Sequence, residues 1–443
     1  MSIRTSSLVG WVTTTPDSSW QQQSIAPGHA SPLSQTADLL DLTITPDRDQ
    51  TWEGFGGCFN ELGWIALAGL PAAEQQAILN RLFHPAEDCR FTICRLPIGA
   101  SDYAAQWYSH NEHDGDYSMA HFSIERDRSY LIPYIRAAQA IQPAMRLFAS
   151  PWSPPIWMKF PKSYNYGTLV WKKEILEAYA LYFAKFVQAY GKEGLRIHQV
   201  HVQNEPNSDQ KFPSCLWTGE KMRDFIRDHL GPTFERLGID CEIWAGTIER
   251  GDFSKWGHTI LSDPAARRYV AGIGYQWAGK EALQCTHESW PNLRLMQTEN
   301  ECGQGKNEWE FAFHVFDLFR HYITNGVNAY IYWNMILAPS GRSTWGWTQN
   351  SMITIDPETK AVTYNPEFYV MKHFSHFIVP GARRVVLNGP WTANAVAFEN
   401  PDGTLAVMIK NPLASPGAVR LRWAGNTQEI QLPAESINTL ILS

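Results

Sequence analysis

The chain has 443 residues, 44% of them apolar, and a net charge of −7 at pH 7. That length exceeds one average domain and suits a barrel of about 250 residues or more with a smaller partner. A net acidic chain without a Gly-x-x-x-x-Gly-Lys loop or a dinucleotide fingerprint argues against nucleic-acid and phosphate ligands, and no run of 18 apolar residues is present to span a membrane.

In chain order, Met1 to Trp11 lacks an apolar stretch of signal-peptide length, so the chain as written is expected in the cytoplasm. Segments 8–14 and 39–44 read as strands with no helix between them. Eight β-type runs follow: 52–57, 91–97, 145–150, 198–205, 241–246, 270–277, 293–299 and 329–334. The text between them is helical. Residues 71–83 start at a proline, 172–190 carry Ile175, Tyr179, Tyr182 and Phe186 on one stripe, and 308–324 do the same with Phe311, Val315, Leu318 and Tyr322. Strand–helix alternation of this kind predicts a parallel (β/α)8 barrel. From Arg384 onward the pattern changes to short strands at 395–398, 405–409, 419–423, 428–432 and 437–442. A turn at Pro401-Asp402-Gly403 separates the first two. The reading is an α/β chain: a TIM barrel over residues 47–381 and a side β-sandwich built from both chain ends, 1–46 and 382–443.

The seven cysteines form no Cys-x-x-Cys pair, which fits reduced thiols and predicts no zinc site. No other metal or organic cofactor is expected. Nineteen tryptophans are unusual. Some should fill the core, and some should stack on the apolar faces of sugar rings.

Two acids carry the chemistry. Glu205 ends the fourth run in Gln203-Asn204-Glu205-Pro206, and Glu299 ends the seventh in Met296-Gln297-Thr298-Glu299. Catalytic groups of barrel enzymes sit at the C-terminal ends of strands. Cleavage of a glycosidic bond needs one carboxylate to attack and one carboxylic acid to protonate the departing oxygen. Glu205 suits the acid/base role and Glu299 the nucleophile, with Glu301 as the competing candidate. Asn204 is placed to hold a sugar 2-OH. The bland alternative is that both acids cap helix starts. His201 shares parity with Glu205 and is expected inside the barrel. Trp345 or Trp347, in the loop after the eighth run, is expected at the pocket mouth.

Several motifs together resemble glycoside hydrolase family 30: Trp52-Glu53-Gly54-Phe55-Gly56-Gly57, Arg95-Leu96-Pro97-Ile98, Ser150-Pro151-Trp152-Ser153-Pro154-Pro155, Asn204-Glu205-Pro206, Tyr332-Trp333-Asn334 and Pro366-Glu367-Phe368-Tyr369. The resemblance implies a retaining β-glycosidase with Glu205 as acid/base and Glu299 as nucleophile. It implies that Asp102 binds hydroxyls in the −1 pocket, that Trp152 and Trp333 wall that pocket, and that Arg95 lies near the two carboxylates. Read blandly, Arg95 is a buried ion-pair partner, Asp102 a turn cap, and the tryptophans core.

The chain departs from the glucosylceramidase-like pattern at Tyr275-Gln276-Trp277-Ala278, where His-Trp-Tyr is usual, and at Phe212, near a usual Tyr. Gln276 and Trp277 remain candidate substrate contacts, but the leaving-group side is altered. A β-glucoside is the expected substrate: a simple glucoside, a glucosylceramide or a β-1,6-glucan oligosaccharide. β-Xyloside, β-fucoside and β-1,6-galactan are the alternatives. Rivals from other classes are a non-catalytic carbohydrate-binding barrel, a metal-dependent barrel enzyme and a transglycosylase.

Overall fold

The computed structural model describes residues 7–25 and 40–443. Eight parallel strands close into a barrel: β1 (Gly54–Cys58), β2 (Ile93–Ile98), β3 (Arg146–Pro151), β4 (Ile197–His201), β5 (Glu242–Ile248), β6 (Val270–Gln276), β7 (Arg294–Glu299) and β8 (Ala329–Asn334). β8 pairs back onto β1, with Tyr330 opposite Phe55. The helices Ala72–Phe83, Lys173–Lys192 and Trp309–Thr324 form where the apolar periodicity places them. The stripe Ile175, Tyr179, Tyr182 and Phe186 is buried, because one face of each helix must cover the sheet.

One expected boundary is corrected. The fourth strand stops at His201 rather than at Glu205. The chain leaves the ladder there, keeping a single bridge from Asn204 to Thr247 at the end of β5. Glu205 has φ +44°, a left-handed backbone outside the β region.

The barrel interior is packed. Ile93, Phe148, Trp244, Met296 and Ile331 form a buried layer below the site, and His201 stacks on Trp244 with centroids 5.0 Å apart. Two glycines on β6 make this possible. A Cβ on Gly272 would fall 2.5 Å from the Trp244 ring, and one on Gly274 would fall 2.9 Å from His201 Nδ1. Large rings on β4 and β5 thus demand small residues on β6.

The second module is a series of nine hydrogen-bonded strands: Ser18–Gln22, Leu8–Thr15, Ser436–Leu442, Leu405–Asn411, Ala395–Glu399, Arg383–Asn388, Leu40–Thr51, Gly417–Trp423 and Asn426–Leu432. Leu42, Val385, Val407, Leu421, Ile430 and Leu440, drawn from across the series, share one core. The sheet therefore folds over on itself as a sandwich. Of the strand expected at 39–44, Leu39 lies outside the described residues. Ser18–Gln22 and the short pairings Lys159–Phe160 with Thr168–Leu169 and Ile336–Leu337 with Ile353–Ile355 were not anticipated; such short runs show no readable period. No helix of the described residues is long and apolar enough to cross a membrane.

His373 ties the two modules together. It lies in the helix Pro366–Ser375, fully buried. Its ring nitrogens bond Thr439 Oγ1 at 2.8 Å and Thr14 Oγ1 at 2.9 Å, both on sandwich strands. Burial, assisted by the Lys372 and His376 charges, pushes its pKa down from 6.5 to about 3. The folded state therefore binds fewer protons than the unfolded one. His373 should cost no stability above about pH 6.5, and should cost progressively more as the pH falls towards about 3. His373→Gln is expected to flatten the acid side of an unfolding-midpoint-versus-pH curve relative to the parent. Parallel curves would remove His373 as a contributor.

Candidate active site

The C-terminal ends of the barrel strands open on a cleft of about 230 Å3 lined by Asp102, Trp152, Asn204, Glu205, Trp277 and Glu299. Arg95, on β2 and fully buried, is its hub. Its Nη1 donates to Glu299 Oε2 at 3.0 Å and to the Thr298 carbonyl at 3.1 Å. Its Nη2 donates to Asn204 Oδ1 at 2.6 Å and to Ser150 Oγ at 2.9 Å. The guanidinium lies 4.5 Å from the Trp152 ring and 5.4 Å from the Trp333 ring. A planar fork of five donors suits this role, since it can bind a carboxylate and an amide oxygen at once while its face rests on aromatic rings.

Glu299 ends β7. Its other oxygen, Oε1, accepts from Trp277 Nε1 at 3.0 Å. Trp277 reaches it from a left-handed backbone, φ +50°. Burial raises the Glu299 carboxyl above the ordinary range, while Arg95 and the Trp277 N–H pull it back down. Glu205 is treated differently. Its side chain accepts one long bond, from Gln276 Nε2 at 3.3 Å. Burial, followed by the Glu299 and Glu249 carboxyl groups, holds it well above the usual carboxylate range. Gln276 joins Glu205 to the Arg95 hub. Its Oε1 accepts from Arg95 Nη1 at 3.3 Å and from Thr298 Oγ1 at 2.9 Å, and its Nε2 also donates to Asn204 Oδ1 at 3.2 Å.

Asp102 lines the cleft with its Oδ1 buried and without a hydrogen-bond partner, and burial and Glu299 raise its pKa well above 3.8. Trp152 lines the cleft; Trp333 is fully buried behind it, stacked at 5.3 Å. Trp347 also lines the cleft, and Trp345 packs behind it and against Phe212, with centroids 5.3 and 5.0 Å apart. Glu301 is engaged elsewhere, by Lys280 at 2.6 Å and His314 at 2.9 Å. His201 bonds the Gly246 carbonyl at 3.1 Å within the barrel. Among the described residues no three His, Cys, Asp or Glu side chains gather as a metal site.

Sequence reasoning missed Ser208, Gln210, Glu249, Arg250 and Gln349 in the lining. Glu249 was within reach, since it follows directly on β5 and the strand-end rule that singled out Glu205 and Glu299 applies to it equally. The others lie on loops, whose folding no periodicity reports.

A parallel barrel in which carboxyl groups from the β4 loop and the β7 end meet over one cleft is the plan of barrel enzymes that cleave glycosidic bonds. The chain belongs to glycosyl hydrolase family 30: residues 52–378 match the family's TIM-barrel domain and residues 381–440 its beta sandwich domain. It is a retaining β-glycoside hydrolase. It is 33% identical over 436 residues to putative glucosylceramidase 1 of Caenorhabditis elegans, a match covering 91% of this chain and 83% of that one. It is 31% identical over 406 residues to the lysosomal acid glucosylceramidase of Mus musculus, covering 85% and 78%. The solved endo-beta1,6-glucanase BT3312 superposes with a TM-score of 0.87 at 25% identity, covering 98% of this chain and 99% of that one.

Proposed function

We propose that the protein hydrolyses β-glucosides by double displacement, with Glu299 as nucleophile and Glu205 as acid/base. The observation that carries the assignment is the asymmetry between the two carboxyl groups. Glu299 is gripped at both oxygens by Arg95 and Trp277, which favours the anion and fixes its aim. Glu205 has one weak donor and acidic neighbours, which favours the protonated form that a general acid needs. In the first step Glu299 attacks the anomeric carbon and the Glu205 proton passes to the leaving oxygen. In the second, Glu205 takes a proton from water, which displaces Glu299. The buried, unpartnered Oδ1 of Asp102 suits acceptance of a sugar hydroxyl, Trp152 suits stacking on the ring, and Asn204 suits contact with the 2-OH.

The relatives support glucose as the sugar. Ser208, Gln210 and Arg250 line the cleft together with Phe212, Trp277 and Trp347, and polar groups interleaved with aromatic faces suit a saccharide leaving group, as in a β-1,6-linked oligosaccharide. All seven cysteines are unpaired and five are buried, which supports residence in a reducing compartment such as the cytoplasm. A family match over residues 52–378 lies within the proposed catalytic unit of 47–381, whose first five residues also complete the sandwich strand Leu40–Thr51.

Glu205→Gln tests the assignment. A glucose leaving group needs protonation, whereas dinitrophenolate does not. Hydrolysis of gentiobiose is therefore expected to fall by about 10² to 10⁴-fold. Release of dinitrophenol from the aryl glucoside should show a burst as the glycosyl-enzyme accumulates, and azide should speed its turnover by forming β-glucosyl azide. An equal loss on both substrates with no azide effect would refute the acid/base role.

A further inference from the structure

The turn that carries Glu205 is held from an unexpected direction. Glu205 itself sits in left-handed backbone, φ +44°, a strained conformation for a non-glycine residue that persists only when its surroundings impose it. The turn is closed by Ser208 N–H donating to the Glu205 carbonyl at 3.0 Å. The end of β5 grips both sides of it. The Thr247 carbonyl accepts from Glu205 N–H at 3.1 Å. Two residues further on, Glu249 Oε1 accepts from Asn207 N–H at 3.2 Å and from Ser208 Oγ at 2.7 Å. The Trp217 N–H also ties the turn, donating to the Pro206 carbonyl at 2.7 Å.

Glu249 is costly to keep where it is. It is 4% exposed, and its second oxygen, Oε2, is buried with no hydrogen-bond partner. The nearest cation, Arg250, stands 3.7 Å away and is itself mostly in solvent. Burial raises the Glu249 pKa. A half-satisfied acid of this kind calls for a reason.

We propose that Glu249 is a positioning residue for the acid/base: it clamps the Glu205–Ser208 turn to the end of β5 and so fixes the approach of the Glu205 carboxyl to the leaving oxygen. Glu249 does not exchange a proton with substrate. Its effect passes through Glu205, and the proposal therefore rests on the acid/base reading above. A group that only aims the acid matters in proportion to how much the leaving group needs protonating. A displacement of about 1 Å in such a group can cost about 10²-fold in rate.

The test compares Glu249→Ala and Glu249→Gln on gentiobiose and on dinitrophenyl β-glucoside. In Glu249→Ala, kcat/KM for gentiobiose is expected to fall about ten- to a hundredfold further than for the aryl glucoside, with the loss in kcat rather than KM. In Glu249→Gln a single amide oxygen can still accept from both Asn207 and Ser208, so most of the lost gentiobiose rate should return. Equal losses on the two substrates in Glu249→Ala, or a Gln variant as slow on gentiobiose as the Ala variant, would overturn the proposal. Glu205→Gln run alongside separates the two claims. If that variant shows no difference between leaving groups, the acid/base reading has failed. If it does show one and Glu249→Ala does not, only the clamp has failed.

Discussion

Glu299→Gln is expected to cut kcat/KM for an aryl β-glucoside by about 10⁴-fold or more, the scale on which removing one member of an interdependent catalytic set acts. The reason is chemical rather than structural. A carboxylate can form an ester with the anomeric carbon; a neutral amide of the same shape is a far poorer nucleophile. The amide oxygen can still accept from Trp277 or Arg95, whose bonds to Glu299 are both 3.0 Å, so the fold should survive. Loss of activity without loss of circular dichroism is the expected result, and a good leaving group should not restore it. Glu301→Gln is the control. His314 and Lys280 hold the Glu301 carboxyl down to about 2, so that substitution should weaken a local ion-pair network and leave the chemistry in place. If Glu299→Gln kept wild-type rates while Glu301→Gln were dead, the nucleophile would have to move to Glu301.

Arg95→Met should damage both stability and turnover. The methionine fills part of the volume and lies comfortably against Trp152 and Trp333. It leaves the Glu299 carboxylate, the Asn204 amide oxygen and Ser150 Oγ without the donors they now have at 3.0, 2.6 and 2.9 Å. Removing one partner of a buried ion pair typically costs about 3–5 kcal/mol, because the stranded charge remains desolvated. A fall of that size should appear in chemical denaturation. The pH profile should move as well. Burial raises the Glu299 pKa and Arg95 is the strongest influence opposing it, so without Arg95 the carboxyl should protonate at higher pH. A nucleophile must be ionised to attack, and the acid limb of kcat/KM is accordingly expected to shift upward in pH. If the acid limb did not move while overall activity fell, Arg95 would be acting on substrate rather than on Glu299.

Much of the architecture was legible in advance, for local reasons. A barrel strand buried on both faces reads as a short apolar run, and its covering helix as a stripe at 3.6 spacing. The runs around Cys94, Phe148, Trp244 and Ile331 and the stripe through Tyr179 and Phe186 therefore announced themselves. The acids at 205 and 299 stood out because polar groups at the ends of apolar runs are conspicuous. The end of β4 was misjudged because Val202 and Gln203 continue the alternation of a strand while the backbone has already turned away. Alternation records which faces are buried, and residues 202 and 203 remain fully buried after the ladder ends. Glu249 escaped notice because the Thr247-Ile248-Glu249-Arg250 run carries no motif of its own, and its partner, the Asn207–Ser208 turn, lies on a different loop.

By itself the amino-acid order determined the barrel with its flanking β module and the two acids at its C-terminal face. Each of these depends on spacing within a dozen or so neighbouring residues. What the order could not decide was how the acids differ. That Arg95 and Trp277 grip Glu299, that Gln276 joins Glu205 to Arg95, that Trp333 stands behind Trp152, and that Glu249 holds the turn beneath Glu205 all depend on contacts between groups 22 to 204 positions apart. Charge and hydrogen bonding act through distance in space, and closing the barrel is what makes those distances short.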